Sequence, residues 1–310
     1  MPGPSTTSPP PATPGGAADE KLKRVVQRIY DLPSFPTVIQ KLQEVADNPK
    51  CTSKMMADVM EKDQGLSAKV LKLVNSAFYA FSKPVSSLAH AISLLGFNSI
   101  RSLAMSVSTK SLLKIDPKVF DQEKFWEHSL AVAVGARLIA EYNGFALKED
   151  SFTAGLMHDA GILLEARYFP DEFKLVAADV QQSANLCAAE EQRVGVNHCM
   201  LGGWLGEKWR LPPLIREPML RHHALTANDW TPSELEQLEK EQRSVTSFVT
   251  VANILANDAG FRHGLSCKPA NSLTTTLPAH LAPVLGSRPR EQAIEELRAR
   301  FEKSRAFLTL

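Results

Sequence analysis

The stretch Asp150-Ser-Phe-Thr-Ala-Gly-Leu-Met-His158-Asp159-Ala-Gly-Ile-Leu-Leu-Glu-Ala166 decides how this chain is read. It is predicted to be one largely apolar helix, with Pro170 beyond its end. Between Gly155 and Leu164 the sole ionisable pair is His158-Asp159. Burying such a pair without partners is costly, so other polar groups are expected to converge on it.

The same helical pattern extends outward in both directions. Phe125–Tyr142 is apolar nearly all round, which marks a buried helix, and Asn143-Gly144 ends it. Upstream, Leu22, Val25, Val26 and Ile29 fall at helical spacing before Pro33. Pro36 opens a helix with Val38, Ile39, Leu42 and Val45 on its inner face. Thr52 or Ser53 caps a helix through Met60, whose Met55, Met56 and Met60 fit a core-packing face, an exposed Met-rich face being the alternative that would suit a partner. Asp63-Gln64-Gly65 precedes a further helix, and Ser86 or Ser87 caps a segment running to Leu95, with Gly96 turning into Asn98–Leu113. Downstream, helices are expected over Ala188–Trp209, Pro213–His223 and Ser244–Asn257, with Thr231-Pro232-Ser233-Glu234 as a helix start. Pro289–Phe307 closes the pattern as a charged amphipathic helix whose Ile294, Leu297 and Phe301 stripe either faces solvent or docks on the body or on a second chain. Sustained alternation is lacking throughout, so the fold class is all-α: a multi-helical domain preceded by a helical N-terminal subdomain.

Four regions follow: a Pro-rich tail over 1–18 that cannot bury enough surface to order itself, helical subdomains over 19–117 and 118–260, and a loop with a terminal helix over 261–310. A net charge of +1 argues against a broad nucleic-acid footprint. Four cysteines without CxxC spacing, no apolar run of membrane length and no secretory leader make a reduced, cytoplasmic location the expectation.

The residues that could join His158 and Asp159 are His128, His198, the adjacent His222-His223 and, on the Ser244–Asn257 helix, Asn253. Imidazole and carboxylate donors from several helices suit a divalent metal (Mn²⁺, Mg²⁺, Fe²⁺ or Zn²⁺), which could activate water against a phosphoester. The competing structural reading is a buried, hydrogen-bonded His-Asp pair that links helices. Cys199 reads as a small core residue, and His90 and His263 carry no functional reading. Asn75-Ser76 reads as a helix end that satisfies local backbone.

The order His128, His158-Asp159, His198, His222-His223 resembles the HD superfamily of metal-dependent phosphohydrolases. Leu32-Pro33-Ser34-Phe35-Pro36 narrows the resemblance to the HDOD (HD-related output domain) family. So do Asp63-Gln-Gly-Leu-Ser-Ala-Lys-Val-Leu-Lys-Leu-Val-Asn75-Ser76-Ala77-Phe78 and the run from Pro84 to Gly96. Trp126-Glu-His128-Ser129 and Trp209-Arg-Leu-Pro212 extend the similarity, which covers about Leu22 to Gly260. The resemblance implies a bacterial signal-transduction output or scaffolding domain that binds a regulatory protein. Its alternatives are an active phosphohydrolase acting on a nucleotide or cyclic dinucleotide second messenger, or a metal or nucleotide sensor without turnover. The chain departs from the catalytic HD-GYP subgroup in four ways. Ile162 stands where those enzymes have a lysine, and Ala224 where they have a glutamate. Leu225–Trp230 lacks the Gly-Tyr-Pro motif, and Asn253 lies about where an aspartate is expected. Losing the two carboxylates removes negative charge that would hold metal, and losing the lysine removes a cation that would neutralise phosphate, which favours a non-enzymatic role.

Overall fold

A computed structural model describes residues 24–25, 27–28, 34–46, 48–181, 185–226, 236, 238–265 and 277–309. The tail over 1–18, the positions of Leu22, Val26 and Ile29, the helix start at Thr231–Glu234 and Cys267 lie outside the described residues. Among those that are described, every regular element is helical.

Helices α1 (Thr37–Ala46), α2 (Ser53–Met60) and α3 (Gln64–Val74) form the N-terminal layer against the long α4 (Leu88–Leu112), which kinks at Gly96 (φ 84°). Side chains start these helices as expected: Thr52, Asp63 and Ser87 accept hydrogen bonds from the backbone N–H groups of Met55, Leu66 and His90. Ile39, Leu42, Met56 and Met60 are buried, but Met55 is not; the rotation of about 100° per residue carries it from the face of Met56 round to solvent. Asn75 ties the end of α3 to the following loop, donating to the Leu71 and Val85 carbonyls and accepting from the Val85 N–H.

The second layer is built on α5 (Gln122–Tyr142), buried on almost every side, which packs against α6 (Lys148–Met157), α12 (Lys240–Asp258) and α13 (Arg290–Ser304). Ala293, Leu297 and Phe301 of α13 are buried, so the terminal stripe docks on the body of its own chain. The core is continuous between the layers. At their junction the buried Asp150 carboxylate on α6 lies 3.4 Å from the Arg101 guanidinium on α4. Pairing relieves the desolvation that either charge would suffer alone.

The helix expected over Asp150–Ala166 is two helices. α6 ends at Met157, His158 and Asp159 form a turn, and α7 runs Ala160–Tyr168. Ala188–Trp209 is likewise split into α9 (Leu186–Arg193) and α10 (His198–Lys208). Between them the chain passes through Gly195 at φ 101°, and Asn197 caps α10 by accepting from the Met200 N–H. α8 (Pro170–Val180) joins the two pairs, and α11 (Pro213–Arg221) follows α10. Both unexpected breaks set a histidine at a helix terminus, where its ring can turn to the centre of the fold.

Candidate metal centre

Close helix packing brings the centre together. At Gly161 of α7 a Cβ atom would lie 1.9 Å from the His198 carbonyl oxygen, so only glycine lets α7 meet the start of α10. Gly155 allows a similar approach of α6 to the backbone of α5 at Ala133. His128 of α5, the His158-Asp159 turn, His198 of α10 and His222 after α11 are thereby carried to one buried point, each no more than 2% exposed.

Asp159 is the hub. Its Oδ2 lies 3.0 Å from His158 Nε2, 3.6 Å from His128 Nε2 and 3.6 Å from His263 Nε2. Its Oδ1 lies 3.2 Å from His222 Nε2 and 3.5 Å from His198 Nε2. His223, half-buried, brings a ring nitrogen within 4.8 Å of the donor atoms of Asp159, His198 and His222. α11 ends at Arg221, so the rotation of about 100° per helical residue does not separate His222 from His223. All six sequence-derived candidates are together, and these His and Asp groups could hold a metal ion.

The opposite edges of the rings fix the chemistry. His128 Nδ1 is 2.9 Å from the Phe261 carbonyl, His158 Nδ1 2.7 Å from that of Gly155, and His222 Nδ1 3.0 Å from that of Pro218. A carbonyl only accepts, so Nδ1 carries the hydrogen and, in a neutral ring, Nε2 presents a lone pair to Asp159. Burial, with His263 as neighbour, lowers the His128 pKa to about 3. Burial also lowers His222 to about 4 and His263 to about 4. Burial alone would raise the Asp159 carboxyl, but His158 and His222 hold it well below the carboxylate range. The His128 and His222 rings, kept neutral by burial, therefore turn lone pairs toward a carboxylate anion.

Such an arrangement calls for a cation. The buried Nε2 atoms of His128, His158 and His222 and the Oδ1 of Asp159 make no aligned hydrogen bond. Each unsatisfied atom of this kind costs about 1–3 kcal/mol. One divalent ion or more would satisfy them together, and the Nδ1-to-carbonyl bonds are the outer support that orients metal-binding histidines. The residues present fit a metal.

His198 is held differently. Its Nδ1 lies 2.7 Å from the Glu190 carboxylate, which also accepts from the His198 backbone N–H at 3.0 Å. Burial would depress this ring, but the Glu190 carboxylate keeps its pKa well above the ordinary value. Glu165 stands behind, its pKa raised well above normal by burial and by Glu190. Cys199, the expected core residue, is buried and borders the centre, with Sγ 3.5 Å from His198 Nε2.

Two further residues alter the sequence reading. Asn253 engages its own helix: the Asn257 side-chain amide donates to its Oδ1 at 2.9 Å. His263, given no role, joins the centre instead. The signal it left was weak, a lone histidine three residues past Gly260. Glu190 was equally hidden within what reads as the first turn of a longer helix.

A family model for the HDOD domain matches residues 32–225. An uncharacterized protein of Treponema pallidum (strain Nichols) is 24% identical over 204 residues, which is 65% of this chain and 39% of that protein. The chain thus spans well under half the length of this curated relative. A solved structure of an HDOD domain protein of unknown function from Geobacter sulfurreducens is 25% identical and superposes with a TM-score of 0.72, over 94% of this chain and 97% of the other. A provisionally assigned phosphohydrolase from Shewanella amazonensis SB2B is 23% identical, with a TM-score of 0.70 over 92% and 97% of the two chains, a likeness of fold.

Proposed function

The chain belongs to the HDOD family, and from that premise we propose that it is a signal-transduction output module that holds a divalent metal at its His-Asp centre without turning over a phosphoester. The observation that carries this reading is the set of lone pairs turned on Asp159 by backbone acceptors at Phe261, Gly155 and Pro218. A hydrogen-bonded structural pair would need Nε2 to donate to the carboxylate; with Nδ1 already given to a carbonyl, that requires an imidazolium, a charge that burial disfavours at His128 and His222.

When bound, a divalent ion would neutralise Asp159 and polarise a water or phosphate oxygen that reached it. His128, His158, Asp159, His198, His222 and His223 are the residues that would hold it. Phe261, Gly155, Pro218 and Glu190 keep the rings in place through their Nδ1 atoms. The side chains expected of a phosphoryl-transfer site are missing from their positions. Ile162 is fully buried where a lysine would neutralise phosphate, Ala224 brings no carboxylate, and Asn253 is occupied by Asn257. The four inner histidines and Asp159 are also closed to solvent, whereas turnover needs open coordination positions and a path for substrate. The output of such a module is binding of a regulatory protein.

One observation favours the phosphohydrolase alternative: half-buried His223 gives the Oδ1 side of the centre a margin toward solvent. The two readings separate in one assay. The full chain loaded with Mn²⁺, Zn²⁺ or Fe²⁺ should leave cyclic-di-GMP and bis-p-nitrophenyl phosphate intact. Turnover that disappears in His158→Ala would overturn the non-enzymatic reading.

A further inference from the structure

His263 lies outside the helical core that supplies the other histidines, and the end of α12 explains how it returns. The Phe261 N–H donates to the Ala256 carbonyl and the Gly260 N–H to that of Asn257, the paired bonds of a Schellman turn. Gly260 sits at φ 93°, a conformation that a side chain would strain. The reversal aims the Phe261 carbonyl at His128 Nδ1 and lays the Phe261 ring on Phe301 of α13, centroids 4.1 Å apart. Two residues on, His263 packs its ring edge-to-face on His128, with centroids 4.8 Å apart. It is 9% exposed, its Nδ1 has no hydrogen-bond partner, and its Nε2 points at Asp159 Oδ2 from 3.6 Å.

We infer that His263 is a metal ligand, completing with His128, His158 and Asp159 Oδ2 a three-imidazole, one-carboxylate donor set that selects an imidazole-preferring transition ion over Mg²⁺ or Ca²⁺. This rests on the metal-holding reading and deepens it by naming the ion class. Three neutral nitrogens and one anionic oxygen suit Zn²⁺, Fe²⁺, Co²⁺ or Ni²⁺, whereas Mg²⁺ and Ca²⁺ prefer oxygen-rich shells. A buried histidine that served only packing would bring a nitrogen within hydrogen-bond reach of a protein acceptor; His263 stops Nε2 3.6 Å short of the shared carboxylate and leaves Nδ1 unpaired.

The test uses Co²⁺ as a spectroscopic probe on the full chain, stripped with chelator and titrated by visible absorption and by competition with a chromophoric chelator. Wild type should bind Co²⁺ in the presence of millimolar Mg²⁺. His263→Ala should lose affinity by about tenfold or more and change the visible bands, while His90→Ala, at an exposed remote position, should match wild type. His263→Cys keeps a donor and should add a thiolate-to-cobalt charge-transfer band in the near ultraviolet. A His263→Ala titration and spectrum identical to wild type, or His263→Cys without the new band, would overturn the assignment while the metal-holding reading stands. Wild type that binds no Co²⁺ would overturn both, and displacement of Co²⁺ by millimolar Mg²⁺ would overturn the ion class.

Discussion

The two oxygens of Asp159 face two differently built half-sites. On the Oδ2 side, the His128 and His158 rings are fixed by the Phe261 and Gly155 carbonyls, and His263 arrives on a turn after α12. On the Oδ1 side, His198 leans on the Glu190 carboxylate, His222 on the Pro218 carbonyl, and His223 and Cys199 stand at the margin. The first half is neutral apart from the shared carboxylate. The second carries an added negative charge behind one ligand, which raises the basicity of that imidazole. The half-sites should therefore respond differently to substitutions that leave the fold in place.

Asp159→Asn strikes both sides at once by removing the charge that they share. Metal retained through chelator-free purification should fall to background by elemental analysis, and retention at the wild-type level would mean that Asp159 is not the hub. Gly161→Ala comes next. Its methyl group would collide with the His198 carbonyl and push α10 away from α7, costing about 3 kcal/mol, read from the urea midpoint. The Oδ1 side alone should lose its geometry, and an unshifted midpoint would contradict the close approach of these helices.

Glu190→Gln sharpens the contrast with less damage. It keeps a hydrogen-bond acceptor for His198 but removes the carboxylate charge, and should weaken metal binding about 10–100-fold in a chelator competition. An unchanged affinity would show that the ion sits on the Oδ2 side only. The smallest effect is expected from Cys199→Ala: the thiol borders His198 without serving in the Asp159-centred groups, so affinity should stay within about threefold. A larger loss would bring the thiol into the coordination shell and favour the Cys187, His198 and Cys199 group instead.

Much of the fold was legible because the apolar periodicity is strong. Phe125–Tyr142, the Ser87 cap and the buried face of the terminal helix follow from side-chain pattern and capping chemistry. The breaks at His158-Asp159 and at 194–197 were not legible, since the apolar pattern runs unbroken through the first and Gly195 is a single weak signal in the second. Within the centre, His128, His158 and Asp159 stood out as ionisable residues in apolar helices, and His198, His222 and His223 as further histidines on helices downstream. The features that decide their chemistry did not. Carbonyls of Phe261, Gly155 and Pro218 belong to the backbone and have no residue signature, and His263 lies in a loop whose path depends on the Schellman turn at Gly260. Asn253 shows the converse: sequence position suggested a place at the centre, but its amide partner is one helical turn away on α12.

The most direct measurement is the metal content of the full-length chain after chelator-free purification and gel filtration, by inductively coupled plasma mass spectrometry. A divalent transition metal co-eluting with the protein, at a ratio approaching one or more per chain and absent from Asp159→Asn, is the predicted result. Wild-type protein that carries only background metal, and takes up none when supplied with Zn²⁺, Fe²⁺ or Co²⁺, would contradict it.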